Sequence, residues 1–179
     1  MTTVATRERL CTECGAVQHA ERQTVMYPES GLDNVQLLNV PVWVCENHHE
    51  EKTIPAVTQL NDMLAHLIIR KPAALAQAEI KFLRRRVDLP SKAFAARLGI
   101  SPVHLSRVEN GRRRPTKTLD LLVRLVVATL LAARDKKPFP ADLAPLVDQL
   151  EKAWDIGTHC LRHVEQTLPE QDEWVDAAC

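Results

Sequence analysis

Two groups of residues in this chain have the types and spacing to do chemistry. Cys11-Thr12-Glu13-Cys14-Gly15 sets two thiols one turn apart, and about thirty residues later Cys45-Glu46-Asn47-His48 repeats the spacing with an imidazole second. Two such pairs suit four-coordinate zinc. Each pair approaches the ion from one side, and the long loop between them brings the second pair opposite. Cys11, Cys14, Cys45 and His48 are therefore the expected ligands of a structural Zn2+, with His49 as the alternative fourth donor. A catalytic ion would need an open position and a nearby base. Glu46, Glu50 and Glu51 offer carboxylates without a legible pocket, so a closed structural site is the better reading and no enzymatic activity is expected.

The second group lies between Leu89 and Pro115. Ala93, Phe94, Arg97 and Leu98 fall at helical spacing, and Gly99 stops that helix with the geometry a sharp turn needs. Ser101 is a good N-cap and Pro102 a good first helical residue, so a second helix runs through Val103, Leu105 and Val108 to Asn110-Gly111. Two short helices joined by a glycine-led turn form a helix-turn-helix, whose second helix enters the DNA major groove. Val103 and Arg107 project from the face left free once Leu105 and Val108 turn to the core. Arginine suits a guanine edge and valine a thymine methyl, with His104 assisting. Ser106, Arg112, Arg113, Arg114 and Lys117 are the expected phosphate contacts, joined by Ser101 at the start of the second helix.

Gly99-Ile100-Ser101, Leu105-Ser106-Arg107-Val108-Glu109, Asn110-Gly111 and Pro115 resemble the helix-turn-helix of the Xre/Cro repressor family. That family often places glutamine against the DNA backbone where Ser91 stands here. CxxCG, then Val40-Pro41-Val42-Trp43-Val44-Cys45, a linker helix and Ile80-Lys81-Phe82-Leu83-Arg84 widen the likeness. Over roughly residues 9–131 the chain is similar to the MqsA/YgiT-type zinc-finger antitoxins. That resemblance implies a DNA-binding homodimer on a palindromic operator that represses its own operon and neutralises a toxin encoded beside it. A stand-alone zinc-containing regulator without a toxin is the alternative. The family's fourth ligand is usually the cysteine of a second CxxCG, where this chain has His48 followed by His49.

These residues need elements to hold them. The alternation of Val40, Val42 and Val44 reads as a strand delivering Cys45, with an earlier strand at Thr24–Tyr27 and a turn near 28–34. A linker helix starting at Pro55 carries Leu60, Met63, Leu64, Leu67 and Ile68 on one face and ends at Lys71-Pro72. A further helix spans about 73–87 and closes with Arg84, Arg85 and Arg86, whose contact with phosphate and whose solvation are equally open. Thr116 or Thr118 caps a helix through Ala133 with Leu121, Leu122, Leu125, Val126, Leu130 and Leu131. It is apolar nearly all round, which suggests burial on several sides and part of a dimer interface. Beyond Pro138-Phe139-Pro140 the tail reads as one or two helices carrying a stripe of Leu143, Leu146, Val147 and Leu150. There Trp154, Leu161 and Leu168 favour packing, and His159, Cys160 and His163 share a helical face.

The expected fold is mainly α: a small β-containing zinc module at 1–52, a linker helix at 53–72, a helix-turn-helix domain at 73–134 and a helical C-terminal extension at 135–179. The net charge of zero over 179 residues conceals an uneven distribution. Residues 1–60 carry four Lys/Arg against eight Asp/Glu, residues 61–134 carry 15 against five, and residues 135–179 carry four against ten. A polyanion-binding surface is thus confined to the middle third. The polar first ten residues do not resemble a secretory signal, and the apolar run Leu121–Ala133 is interrupted by Arg124 and too short to span a bilayer. Five cysteines without a dense framework fit a reducing cytoplasm, here with association to the nucleoid.

Overall fold

The computed structural model describes residues 9–136, 164–167 and 175–176. In chain order the elements are β1 (Arg9–Leu10), β2 (Val17–Met26), a 3-10 turn (Pro28–Ser30), β3 (Val35–Cys45), β4 (Glu50–Lys52), α1 (Val57–Arg70), α2 (Gln77–Arg86), α3 (Ser91–Arg97), α4 (Pro102–Glu109), α5 (Lys117–Asp135), β5 (Val164–Thr167) and β6 (Val175–Asp176). A β module followed by five helices is the mainly α organisation expected. The described residues fall into two compact units, one of 9–27, 33–60, β5 and β6, the other of 28–32 and 61–136. None of their helices is long and apolar enough to cross a membrane.

In the first unit β3 is the central strand. β2 pairs antiparallel with one edge over most of its length, while β4 and β5 share the other edge. Between the pairs Gln23–Val40 and Val25–Leu37, β2 contributes Thr24 but β3 contributes both Leu38 and Asn39. That bulge, with Asn39 at φ 60, resets the alternation of β3. Val35 and Leu37 before it and Val40 and Val42 after it are consequently all buried. The strand at Thr24–Tyr27 is longer than expected because β2 can pair with β3 back to Gln18.

A helical C-terminal extension is the expectation from sequence, but its two described stretches are strands. β5 runs parallel to Val35–Leu38 and β6 pairs antiparallel with β5. Pairing with a distant strand edge, whose backbone groups need partners, decides these short segments over local pattern. Leu143, Leu146, Val147, Leu150, Trp154, His159, Cys160, Leu161, His163, Leu168 and the Pro138-Phe139-Pro140 break lie outside the described residues.

In the second unit Leu64, Ile69, Ile80, Leu83, Phe94, Leu105, Val108, Val123 and Val127 are fully enclosed. α5 buries one face through Leu119, Val123, Val127, Ala128 and Leu131. Its opposite side is less covered than an all-round apolar helix would be. Leu125 is 51% exposed, and Leu121, Leu122, Val126 and Leu130 are half-buried. Arg124, which interrupts the apolar run, is only 1% exposed. Its guanidinium donates to Asp120 Oδ1 (2.6 Å) and to the carbonyls of Ile68 (3.2 Å), Ile69 (2.8 Å), Lys71 (2.8 Å) and Ala73 (2.7 Å). It thereby satisfies the last carbonyls of α1 and the connection to α2, which no helix bond reaches. α2 begins at Gln77 rather than Ala73. Glu79 accepts from the Ala76 N–H (2.7 Å) and from Lys71 Nζ, closing that turn.

Candidate metal centre and nucleic-acid interface

Two backbone turns build the metal centre. In the first, Gly15 N–H donates to Cys11 O (2.9 Å) and Cys11 N–H to Ala16 O (2.7 Å), with Gly15 at φ 73. A Cβ at Gly15 would meet nothing within 4 Å, so the left-handed conformation, not crowding, calls for glycine. In the second, His48 N–H donates to Cys45 O (2.9 Å) and Cys45 N–H to His49 O (3.2 Å), with His48 at φ 61. This turn links β3 to β4 and is one residue shorter than the first.

That one-residue difference decides the fourth donor. His48 takes the left-handed position that Gly15 holds in the first turn, and its side chain stays exposed. His49, one residue further, is brought to the thiols instead. The donor atoms of Cys11, Cys14, Cys45 and His49 all lie within 4.8 Å of one another. The cluster thus takes in His49, the alternative donor, and not His48. Cys14 Sγ lies 3.7 Å from Cys45 Sγ, and Cys11 Sγ lies 3.6 Å from His49 Nδ1.

These separations fit zinc. With metal–sulfur and metal–nitrogen bonds of about 2.3 and 2.0 Å at tetrahedral angles, sulfurs sit roughly 3.8 Å apart and sulfur and nitrogen roughly 3.5 Å. Four protein donors also fill the four positions of a closed structural site. The electrostatics differ from donor to donor. Asn47's side chain, then the Ala16 backbone N–H, pull the Cys14 thiol down to about 6. Burial pushes the Cys45 thiol up, and the hydrogen bond with Cys11 raises His49. Glu13 Oε2 stands 3.7 Å from His49 Nε2, on the far side of the ring from the thiols. At that distance the carboxylate, itself mostly exposed, is an electrostatic neighbour of the ring and not its hydrogen-bond acceptor. Asn47 and Glu13 were not singled out from the sequence; both sit at the middle positions of the CxxC and CxxH turns.

The helix-turn-helix is held by backbone caps at both joints. Ile100 N–H donates to Ala95 O (3.0 Å) and Gly99 N–H to Ala96 O (3.2 Å), with Gly99 at φ 66. This closes α3 in a Schellman motif. Ser101 Oγ accepts from His104 N–H (3.1 Å) and Pro102 opens α4. The end of α4 repeats the device, with Arg112 N–H to Arg107 O (2.8 Å), Gly111 N–H to Val108 O (3.1 Å) and Gly111 at φ 72.

Leu105, Val108 and Glu109 are the buried side of α4. Val103 is 61% exposed, and Ser106, Arg107, Arg112, Arg113 and Arg114 are exposed with it. Several other predicted residues are partly committed. Ser101 caps α4, Ser106 Oγ accepts from Asn110 Nδ2 (3.2 Å), and Ser91 and Lys117 are half-buried. His104 is half-buried, with Nε2 enclosed and without a hydrogen-bond partner among the described residues. Of the arginine run ending α2, Arg84 is locked onto Glu109 (2.6 Å) and Arg86 onto Asp62 (2.6 Å), so only Arg85 is exposed.

Internal pairing also sorts the charge of this segment. Asp62, Glu79, Glu109 and Asp120 are consumed by Arg86 and Arg134, Lys71, Arg84 and Arg124. The positive charge left over includes the exposed Lys92, Arg97, Arg107 and Arg112–Arg114, on and beside the two motif helices. Neither Lys92 nor Arg97 is among the residues that the sequence nominates for DNA. Residues 80–119 match the helix-turn-helix family model, which supports a DNA-binding transcription regulator. No match was found among the curated proteins or the solved structures.

Proposed function

We propose that this chain is a homodimeric, sequence-specific DNA-binding repressor with a structural zinc module, which regulates its own operon. The observation that carries the reading is α4. It presents Val103 and Arg107 to solvent one turn apart, on a segment whose acids are almost all paired internally. Arg107 donates to the O6 and N7 edge of guanine, and Val103 packs on a thymine methyl. Arg112, Arg113 and Arg114 hold the DNA backbone, with Ser91, Ser101, Ser106, His104 and Lys117 around them. Cys11, Cys14, Cys45 and His49 hold zinc, which fixes the two turns to each other. The half-exposed stripe of α5 supports two-fold pairing, because contiguous apolar surface commonly marks a protein–protein contact. Neutralisation of a neighbouring toxin rests on the resemblance of roughly residues 9–131 to the MqsA/YgiT-type antitoxins, with a stand-alone regulator as the alternative.

Selection from a random duplex pool tests the regulator reading. The expected product is a dyad-symmetric sequence whose half-sites lie about one helical turn, 34–36 Å, apart. A pool that remains unenriched after repeated selection by zinc-loaded protein would refute it. Native co-purification separates the two regulator readings, since an antitoxin retains a small protein encoded beside it.

A further inference from the structure

We infer that the metal centre is an oxidation site in which Cys14 is the thiol attacked and Cys45 the thiol that resolves it. The inference rests on the zinc reading above. The three cysteines are not equivalent. Cys11 and Cys45 are 5% and 3% exposed, whereas Cys14 is exposed, standing at the outer end of the first turn. Oxidants reach thiols according to access and thiolate character, and metal ligation keeps every coordinating sulfur a thiolate. Among the three, access alone therefore selects Cys14.

The partner follows from distance. Cys45 Sγ is 3.7 Å from Cys14 Sγ, while Cys11 faces the imidazole of His49 at 3.6 Å. A disulfide between Cys14 and Cys45 requires its sulfurs to close to about 2.05 Å, a movement of under two ångströms. The oxidant is a peroxide. The Cys14 thiolate attacks one peroxide oxygen, breaks the O–O bond and becomes a sulfenic acid, releasing hydroxide. The Cys45 thiolate then attacks the sulfenic sulfur, forms the S–S bond and releases a second hydroxide. Two protons from the buffer convert both hydroxides to water, so two thiolates lose two electrons and hydrogen peroxide gains them. The bond joins one residue from each turn and removes two of the four donors, so the site no longer retains its ion.

The test treats the full-length zinc-loaded chain with sub-stoichiometric hydrogen peroxide. Released zinc is read by a chromogenic chelator and cross-links by mass spectrometry after thiol alkylation. Zinc release in step with a Cys14–Cys45 cross-link, reversed by dithiothreitol and added zinc, is the expected result. Cys14→His keeps a metal donor but removes the accessible thiol, and should release zinc roughly tenfold more slowly, since reactivity follows accessible thiolate. A first cross-link that omits Cys14, or zinc release without any cross-link in the unmodified chain, overturns the inference while leaving the zinc reading intact. A chain that purifies and refolds with no zinc overturns both.

Discussion

The ion pair between Arg84 on α2 and Glu109 on α4 should be the main electrostatic clamp on the recognition helix. Arg84 Nε and Nη2 donate to the two Glu109 oxygens at 2.6 and 3.1 Å, and Nη1 donates to Leu89 O at 3.0 Å. The two side chains are only 15% and 6% exposed. Glu109→Leu leaves a largely enclosed guanidinium with one carbonyl. Breaking a buried pair from one side costs about 3–5 kcal/mol. Because Arg84 retains Leu89 O and some solvent, the lower end, about 3 kcal/mol, is the expected cost. Replacing both residues by leucine removes the charge together with its partner and should cost much less, as buried pairs replaced by apolar groups are often close to neutral. Urea unfolding followed by far-UV circular dichroism, which reports the helical unit, gives the four corners of the cycle. A coupling of roughly 2–3 kcal/mol is expected for residues that touch directly. Single variants that are each destabilised by less than about 1 kcal/mol, or a double variant destabilised by their sum, would refute the clamp.

Three further outcomes follow from the same geometry. Removing zinc by chelation should unfold the first unit and leave the helical unit folded, since structural zinc contributes roughly 10–16 kcal/mol of apparent folding energy in small modules; circular dichroism and the fluorescence of Trp43, with Trp154 and Trp174 replaced by phenylalanine, report the two parts. Glu13→Gln should weaken zinc binding by well under about tenfold in chelator competition, because the exposed carboxylate stands 3.7 Å from the His49 ring without hydrogen-bonding it. Leu125→Glu on the exposed stripe of α5 should shift the sedimentation equilibrium toward monomer without lowering the helix content.

Much of this was legible because local chemistry decided it. Gly99, Ser101, Pro102 and Gly111 fix where α3 and α4 stop and start, and each acts through its own backbone or its nearest turn. The three cysteine positions were legible for the same reason. The fourth donor was not, because spacing does not reveal whether a turn closes in four residues or five. The β3–β4 link closes one residue earlier than the first turn, so His48 takes the left-handed position and His49 the ligand position. Long-range pairing hid the rest. Nothing near Arg84 or Arg86 indicates that Glu109 and Asp62 will neutralise them. Nothing near Arg124 indicates that it will accept burial to satisfy carbonyls more than fifty residues away. The strands β5 and β6 likewise depend on the free edge of β3, not on their own pattern.

The central claim is that α4 reads base sequence while the residues after it hold phosphate. The most direct measurement is the affinity of Arg107→Ala and Arg113→Ala for the selected duplex and for random duplex across a salt series. Arg107→Ala should weaken binding to the selected duplex by roughly 1–3 kcal/mol per half-site, and binding to random DNA far less. Arg113→Ala should weaken both duplexes alike and reduce the salt slope by about 0.9 for each phosphate no longer neutralised. Equal weakening on the two duplexes for Arg107→Ala would contradict the account.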